Sequence, residues 1–175
     1  YSQDNQVIEL KVIKGEVDEK QQTLKFTSVP VFKEKEADGK YKTYLVPSGL
    51  GGTVVSFNCT SKDPVLRALF SNPDFNYAMS IAVDRHEVNK VTCFGECEEI
   101  NTGVPMDPTT SFAKPEWYSK AAEYDPDKAN AMLDELGLNK RDSEGWRLRP
   151  DGKRLVILAN YTIQGISSEA MNLLK

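Results

Sequence analysis

The stretch from residue 53 to residue 95 constrains the fold of this chain most, because helix starts follow one another closely there. Asp63-Pro64 and Asn72-Pro73 each predict a helix start. In both pairs the Asp or Asn side chain can accept a hydrogen bond from an unpaired backbone N–H, and Pro fits the first helical position. The stretch therefore predicts short helices separated by sharp breaks.

A further helix start is predicted at Asp84, which would be the N-cap, with Glu87 reaching back to it in a variant of the capping box. Gly95 would end that helix. The preceding helix, which begins near Pro73, carries apolar residues at i, i+3, i+4 and i+7. We expect this stripe to be buried; its members are Phe75, Ala78, Met79 and Ala82.

Ahead of these helices, residues 53–57 are β-branched or aromatic with one serine among them, which predicts a strand. A period of two residues divides the side chains of a strand between two faces. One face carries Val54, Ser56 and Asn58, and the other carries Val55 and Phe57.

Residues 125–138 predict another helix, in which Asp125 is the cap, Pro126 the first residue, and Gly137 the end. Leu138 would fold back onto the helix. The buried stripe would contain Ala129, Met132, Leu133 and Leu136. Elsewhere the patterns predict a helix or strand face over residues 7–13 ending at Gly15, a short helix over 30–34, a turn over 37–40 and a strand over 41–46.

Pro150-Asp151-Gly152 lies between two apolar runs and predicts a hairpin. Residues 155–158 are continuously apolar and predict a buried central strand. The basic residues near this turn are interleaved with acidic ones, which favours a solvated face. They are Lys140, Arg141, Arg147, Arg149, Lys153 and Arg154.

The 175 residues suit one domain or parts of two. A net charge of -4 does not imply a nucleic-acid surface, and no apolar run reaches the roughly eighteen residues that a membrane span needs. The sequence begins at Tyr1 in polar residues without a signal peptide, and its last residues read as the beginning of a helix. We therefore expect a piece of a longer protein.

Three cysteines, Cys59, Cys93 and Cys97, cannot all pair within the chain. We expect free, partly buried thiols, with a disulfide as the alternative in an exported protein. His86, the only histidine, lies at a helix start rather than in an evident triad, and a zinc site with Cys93 and Cys97 would lack a fourth ligand. We therefore predict no catalytic residue, no metal and no cofactor.

The sequence of the predicted helices between residues 63 and 95 also matches a known family signature, residue by residue and in the same order. The matching residues are Phe75, Ala78, Met79, Ser80, Ala82, Val83, Asp84, Arg85, Val88, Asn89, Val91 and Gly95. This region resembles the signature of the bacterial family 5 extracellular solute-binding proteins, the oligopeptide- and dipeptide-binding receptors of ABC importers. Asn76 stands where that family usually has arginine. Later segments continue the resemblance in order, so that it covers nearly the whole chain.

The resemblance implies an α/β (mixed α+β) chain that is part of a two-lobed, type II-like periplasmic-binding-protein fold, with a mixed sheet and flanking helices. Residues 1–52 would be the tail of the first lobe and the hinge, since residues 47–52 form a Gly-rich break. Residues 53–175 would be the first half of the second lobe, truncated at its C-terminal end.

The same resemblance places the strand at residues 53–58 beside a ligand cleft, where its backbone could pair with a bound peptide. The ligand-binding candidates are Val54, Ser56, Asn58 and Trp117. Asn58 matches an asparagine of the family, although a turn-capping role is equally compatible with its position. Trp117 could stack on a ligand, with core packing as the alternative.

The function implied is the non-catalytic capture of an oligopeptide, or of another small solute such as an oligosaccharide or metal chelate, for delivery to ABC permease subunits. The location implied is extracytoplasmic, in the periplasm or as a cell-surface lipoprotein whose N-terminal anchor lies outside this sequence. Two alternatives stay open. One is a thiol- or metal-dependent enzyme domain, and the other is a sensor or interaction domain of the same fold.

Overall fold

The computed structural model describes residues 4–22, 24–46, 54–100, 110–160 and 173, and in these ranges the architecture is helical. A 3₁₀ turn, Phe26–Ser28, precedes the helix that begins at Val29, and a π-helical turn, Asp134–Leu138, follows the helix that ends at Leu133. The helices are α1 Asn5–Ile13, α2 Val29–Glu34, α3 Glu36–Gly39, α4 Pro64–Phe70, α5 Pro73–Ile81, α6 Arg85–Cys93, α7 Pro115–Ser119 and α8 Pro126–Leu133.

The predicted N-caps of α4, α5, α6 and α8 are confirmed. In each helix a first-turn N–H donates to the cap side chain, and the caps are Asp63, Asn72, Asp84 and Asp125. The reciprocal half of the predicted capping box is wrong, because the Glu87 carboxylate pairs with Lys90 at 2.7 Å instead of reaching back. The single-sided cap still satisfies one of the N–H groups that the start of α6 leaves unpaired.

The core lies where α5 packs against α8. Its larger cluster contains Leu69, Phe70, Phe75, Ala78, Leu133 and Leu138, and a second cluster contains Ile81, Ala121 and Ala129. The stripe predicted on α8 is confirmed, and Leu138 folds back to full burial. On α5 the prediction is wrong at Ala82, which is exposed because α5 ends at Ile81 and leaves Ala82 as the C-cap.

The strands predicted at residues 41–46, 53–58 and 155–158 are wrong wherever the structure describes them, because none of these residues lies in a strand. The only bridges in the described ranges are two isolated antiparallel ones, Arg141–Arg147 and Leu148–Arg154. β-Branched composition favours extended backbone, but a strand also needs a neighbour to satisfy its N–H and C=O groups. The expected mixed sheet is therefore not formed within the described residues.

The turn of the predicted hairpin is confirmed. The Arg149 N–H donates to the Lys153 carbonyl at 2.7 Å, and Gly152 adopts a φ of 82°, a left-handed conformation that suits glycine. The strand beyond the turn is not buried as predicted. Leu155 and Ile157 pack partly buried against the core, whereas Val156 and Leu158 between them are exposed.

The solvated basic face predicted near this hairpin is wrong for Arg147 and Arg149. Arg149 is only 8% exposed and pairs with Asp63 at 2.8 Å and Asp151 at 2.7 Å. Arg147 donates to the Leu138 carbonyl at 2.6 Å. A planar guanidinium with five N–H donors can bind several oxygen atoms at once, so these cations fasten the hairpin to the helices.

In residues 4–22 and 24–46, the helices α1, α2 and α3 contact one another, and Phe32 on α2 is buried. The pattern at residues 7–13 resolves as the helix α1 rather than a strand. Gly15 has a φ of 70°, and a Cβ there would collide with the carbonyl of Gly39, so this close approach requires glycine. The break predicted at residues 47–52 lies outside the described residues, and the division of the lobes at residue 52 stays a prediction.

Candidate ligand-binding site

The segment that was predicted to border the ligand, residues 54–58, is anchored by Phe57. Its ring stacks on Phe70 at 5.3 Å between centroids and meets the edge of Phe75 at 5.4 Å. Val54 and Ser56 are exposed. Val55, which the period of two placed on the same face as Phe57, is also exposed, at 52%. A single aromatic anchor therefore holds an otherwise exposed segment.

Asn58 caps the turn that follows this segment. Its Oδ1 accepts hydrogen bonds from the Thr60 N–H at 3.0 Å and the Thr60 hydroxyl at 2.8 Å. Its carbonyl accepts from the Ser61 N–H at 3.1 Å. The turn-capping role left open for Asn58 is thus present in the structure. No described residue hydrogen-bonds its Nδ2, which leaves that donor available on an exposed side chain.

The turn leads into α4, whose cap is bound to the hairpin. Asp63 accepts hydrogen bonds from the Val65 and Leu66 N–H groups and also pairs with Arg149. The Arg149 guanidinium holds the pKa of Asp63 and that of Asp151 below their usual range. Both carboxylates are therefore compensated within the protein, which makes them structural groups rather than ligand-binding ones.

Trp117 lies on α7 and is half-buried, whereas its neighbour Tyr118 is only 7% exposed. The Lys114 ammonium lies 6.0 Å from the centroid of the indole ring, within reach of a cation–π contact. Tyr118 is therefore buried in the core, whereas part of the Trp117 ring is accessible to solvent. An amphipathic ring in that position is suited to stacking on a bound group.

The structure does not bring Trp117 and residues 54–58 together. Within the described ranges no hydrogen bond, ion pair or ring contact joins them. A cavity of about 190 Å³ lies next to α7 and is lined by Glu98, Ile100, Pro115 and Tyr118. A larger one of about 520 Å³ lies beside α2 and α3. Neither of these two cavities is lined by a predicted site residue.

The expectation of free thiols is wrong for Cys93 and Cys97, which form a disulfide with a Cα–Cα distance of 5.6 Å. Phe94 and Gly95 adopt left-handed conformations that turn the backbone and bring the two cysteines together. The Asn89 side chain adds two hydrogen bonds to the Cys97 backbone, at 2.9 and 3.1 Å. Cys59 remains a free and exposed thiol.

His86 is paired with Glu99 at 2.8 Å rather than with a cysteine, and this contact holds the pKa of Glu99 below its usual range. Among the described residues, no group of three or more His, Cys, Asp or Glu side chains is arranged to hold a metal ion. The helices in the described ranges are also too short or too polar to cross a membrane.

Sequence reasoning missed a polar cluster at the break between α5 and α6. The Arg85 guanidinium donates to the Ser80 hydroxyl at 2.8 Å, the Ser80 carbonyl at 2.9 Å and the Ala122 carbonyl at 3.3 Å. The Ser80 hydroxyl in turn donates to the Ala121 carbonyl at 2.7 Å. The signal in the sequence was a serine and an arginine five residues apart across a capped break.

The profile of the bacterial extracellular solute-binding proteins, family 5 Middle, matches residues 1–175, and the chain belongs to this family. A solved structure, the oligopeptide-binding protein OppA, is similar with 32% identity and a TM-score of 0.55. The match covers 87% of this chain and 25% of that one, and it supports a periplasmic-binding-protein fold. No curated protein sequence matches the chain.

Proposed function

We propose that this chain is part of the substrate-binding component of an ABC importer, which captures an oligopeptide or a similar small solute and delivers it to permease subunits. The observation that carries the proposal is the family match over residues 1–175. The similarity to a protein named for oligopeptide binding supports the peptide as ligand. The role is one of binding without catalysis.

In the proposed mechanism the ligand is held between two lobes that close around it and exclude water. Residues 1–52 would supply the tail of the first lobe and the hinge, and residues 53–175 the first half of the second lobe. One wall of the cleft would then come from this chain, and the opposite wall from the remainder of the protein.

The segment 54–58 would form part of this wall. The backbone groups of residues 54–56 make no hydrogen bond with any described residue, and the segment is exposed. An extended peptide lying alongside could pair with these N–H and C=O groups as an added strand. Ser56 and Asn58 would add polar contacts, Val54 an apolar one, and Trp117 an aromatic surface.

Calorimetric titration with a mixed oligopeptide library tests this proposal. The full-length protein should bind peptide, whereas this chain alone should not bind tightly, because one wall cannot offset the several kcal/mol of freedom that a ligand loses. Sub-micromolar binding by the chain alone would show that the site lies wholly within it and would contradict the two-lobe mechanism.

Variants of the full-length protein test the residues. Trp117→Ala should weaken peptide binding, whereas Trp146→Ala, which removes another partly exposed indole (55% exposed), should not. Equal affinities for the two variants would remove Trp117 from the proposed site. Ser56→Ala should weaken binding less than Trp117→Ala, because it removes one polar contact and little buried area.

The proposed location is extracytoplasmic, either in the periplasm or at the cell surface as a lipoprotein. The Cys93–Cys97 disulfide supports it, since disulfides persist in oxidising compartments and are rare in the cytosol. Cell fractionation with thiol labelling checks this point. Recovery of the protein in the cytosol with Cys93 and Cys97 reduced would contradict the proposed location.

A further inference from the structure

Arg85 is a half-buried cation whose partners are mostly backbone carbonyls. It donates to Ser80 and Ala122 as described above, and no described carboxylate lies within ion-pair distance of it. A guanidinium in this position is held by the geometry of its acceptors rather than by an opposite charge. Those acceptors lie on two separate parts of the chain, the end of α5 and the residues that follow α7.

The residues after α7 need such a support. Ala121 is only 8% exposed and has a φ of 56°, a left-handed conformation that is unfavourable for alanine. Its carbonyl accepts the Ser80 hydroxyl, and the next carbonyl, that of Ala122, accepts from Arg85. These two hydrogen bonds compensate the unfavourable backbone and tie it to the α5–α6 break.

Helix α7 leads directly into this attachment, and the buried side chain of Tyr118 is its other contact with the core. It has five residues, no side-chain N-cap and an end that joins directly to Ala121 through Lys120. A helix this short is not stable by itself in water, so its contacts with the rest of the protein fix its orientation. Trp117 lies in the middle of α7, three residues before Lys120.

We propose that Arg85, acting through Ser80 and the carbonyls of Ala121 and Ala122, is a positioning residue that fixes α7 and thereby orients Trp117 toward the ligand. Its importance for binding rests on the ligand-contacting role proposed for Trp117. The positioning itself can be measured without any ligand.

The test uses a Trp146→Phe background, in which Trp117 is the only tryptophan, since the chain has two. Arg85→Lys keeps the charge but cannot reach all the acceptors at once. Hydrogen exchange at the Lys120 and Ala122 amides should accelerate by about tenfold, which corresponds to the loss of a hydrogen bond to a charged group. Acrylamide quenching of Trp117 fluorescence should rise in the same variant, while exchange at the Ser71 amide, at the end of α4, should not change.

Arg67→Lys is the matched control, because Arg67 is an exposed arginine that donates to one backbone carbonyl, that of Ser61, at 3.2 Å. It should leave both the α7 amides and Trp117 quenching unaltered. Ser80→Ala provides a second variant in case Arg85→Lys does not fold. It removes the donor to Ala121 without changing charge, and it should shift both readouts in the same direction by a smaller factor.

A uniform acceleration of exchange across α4, α5 and α7, with Trp117 quenching unchanged, would overturn the proposal and leave Arg85 as a general stabilising residue. Titration of the full-length Arg85→Lys variant with peptide then separates the positioning of α7 by Arg85 from the ligand-contacting role of Trp117. If α7 loosens but affinity does not change, the positioning is real and the ligand role of Trp117 is wrong. If α7 does not loosen, the positioning proposal fails whatever the affinity.

Discussion

The helical centre and the extended segments of this chain use similar apolar residues with opposite results. In the centre, Phe75, Ala78 and Leu138 are completely buried. In the segments 41–46, 54–58 and 155–160, Tyr44 and Val46 are each 79% exposed and Leu158 is 87% exposed. Apolar composition alone therefore does not decide burial in this chain.

The difference follows from where each kind of element finds its hydrogen-bond partners. A helix closes its bonds within itself, and the caps of α4, α5, α6 and α8 are supplied by the residue next to each start. An extended segment needs a second segment beside it, which can be distant in sequence. The helices of the centre therefore satisfy their backbone hydrogen bonds within the described residues. The extended segments have backbone N–H and C=O groups that could pair with another segment.

The largest expected effect contrasts the two regions directly. Phe75→Ala should lower the free energy of unfolding by about 3–5 kcal/mol, because the ring is fully buried between Phe57 and Phe70 and its loss leaves a cavity. Leu158→Ala should change it by less than about 0.5 kcal/mol, because that side chain is already in solvent. Urea unfolding of both variants measures the difference. Comparable losses would show that Leu158 is packed in solution and would contradict the contrast between a buried helical centre and exposed extended segments.

Removing the disulfide shows how much the end of α6 contributes to the stability of the helical centre. Replacing both Cys93 and Cys97 by serine should lower the free energy of unfolding by about 2 kcal/mol, the chain-entropy value for a loop this short. Cys59→Ser is the control, since Cys59 is unpaired and exposed. Thermal melting under non-reducing conditions provides the measurement. If the double variant melts with the control, the loop closed by the disulfide is already held by Asn89.

Local signals in the sequence predicted local structure well. The Asp-Pro and Asn-Pro pairs, the stripe of α8 and the turn at Gly152 could all be predicted because each depends on residues within one or two turns. Two local predictions failed for local reasons, since the stripe on α5 continued one residue beyond the helix end to Ala82, and Glu87 pairs with Lys90. Interactions between distant residues were not predictable in this way.

The ion pair between Asp63 and Arg149 joins residues that are 86 positions apart, and no spacing rule connects them. The Ser80–Ala121 hydrogen bond spans 41 positions. For the candidate site the sequence resemblance predicted the residues, and the structure shows their surroundings. That Val54, Ser56, Asn58 and Trp117 contact a ligand stays a prediction.

Removing the N-cap of α6 should lower the free energy of unfolding less than truncating the core or removing the disulfide. Asp84→Ala should cost about 1 kcal/mol, because it removes the acceptor for the Glu87 N–H, whereas Asp84→Asn keeps an acceptor and should cost much less. Chemical denaturation of the two variants makes the comparison. Equal losses from both would indicate that the charge of Asp84 matters more than its hydrogen bond.

The smallest expected effect is the dependence on pH of the stability that the ion pairs of Arg149 with Asp63 and Asp151 contribute. Both aspartates have a lowered pKa in the folded protein, mainly because of their hydrogen bonds to Arg149. A lowered pKa adds stability that is fully present above the unfolded value of about 3.9 and is lost as the pH falls through the folded values. The parent protein should therefore lose this contribution progressively below about pH 4.

Solvent screening keeps this contribution small, because the side chains of Asp63 and Asp151 are 34% and 30% exposed. Arg149→Leu should flatten the dependence of stability on pH below about pH 4, since the aspartates then return toward their ordinary pKa. Lys35→Leu is the control, as Lys35 pairs with Glu34 and Asp38 in a separate part of the chain. Unfolding measured at several acidic pH values gives the slope for each variant. If Arg149→Leu keeps the parental slope, the acid sensitivity arises from other carboxylates, and the hairpin is held to α4 by packing rather than by charge.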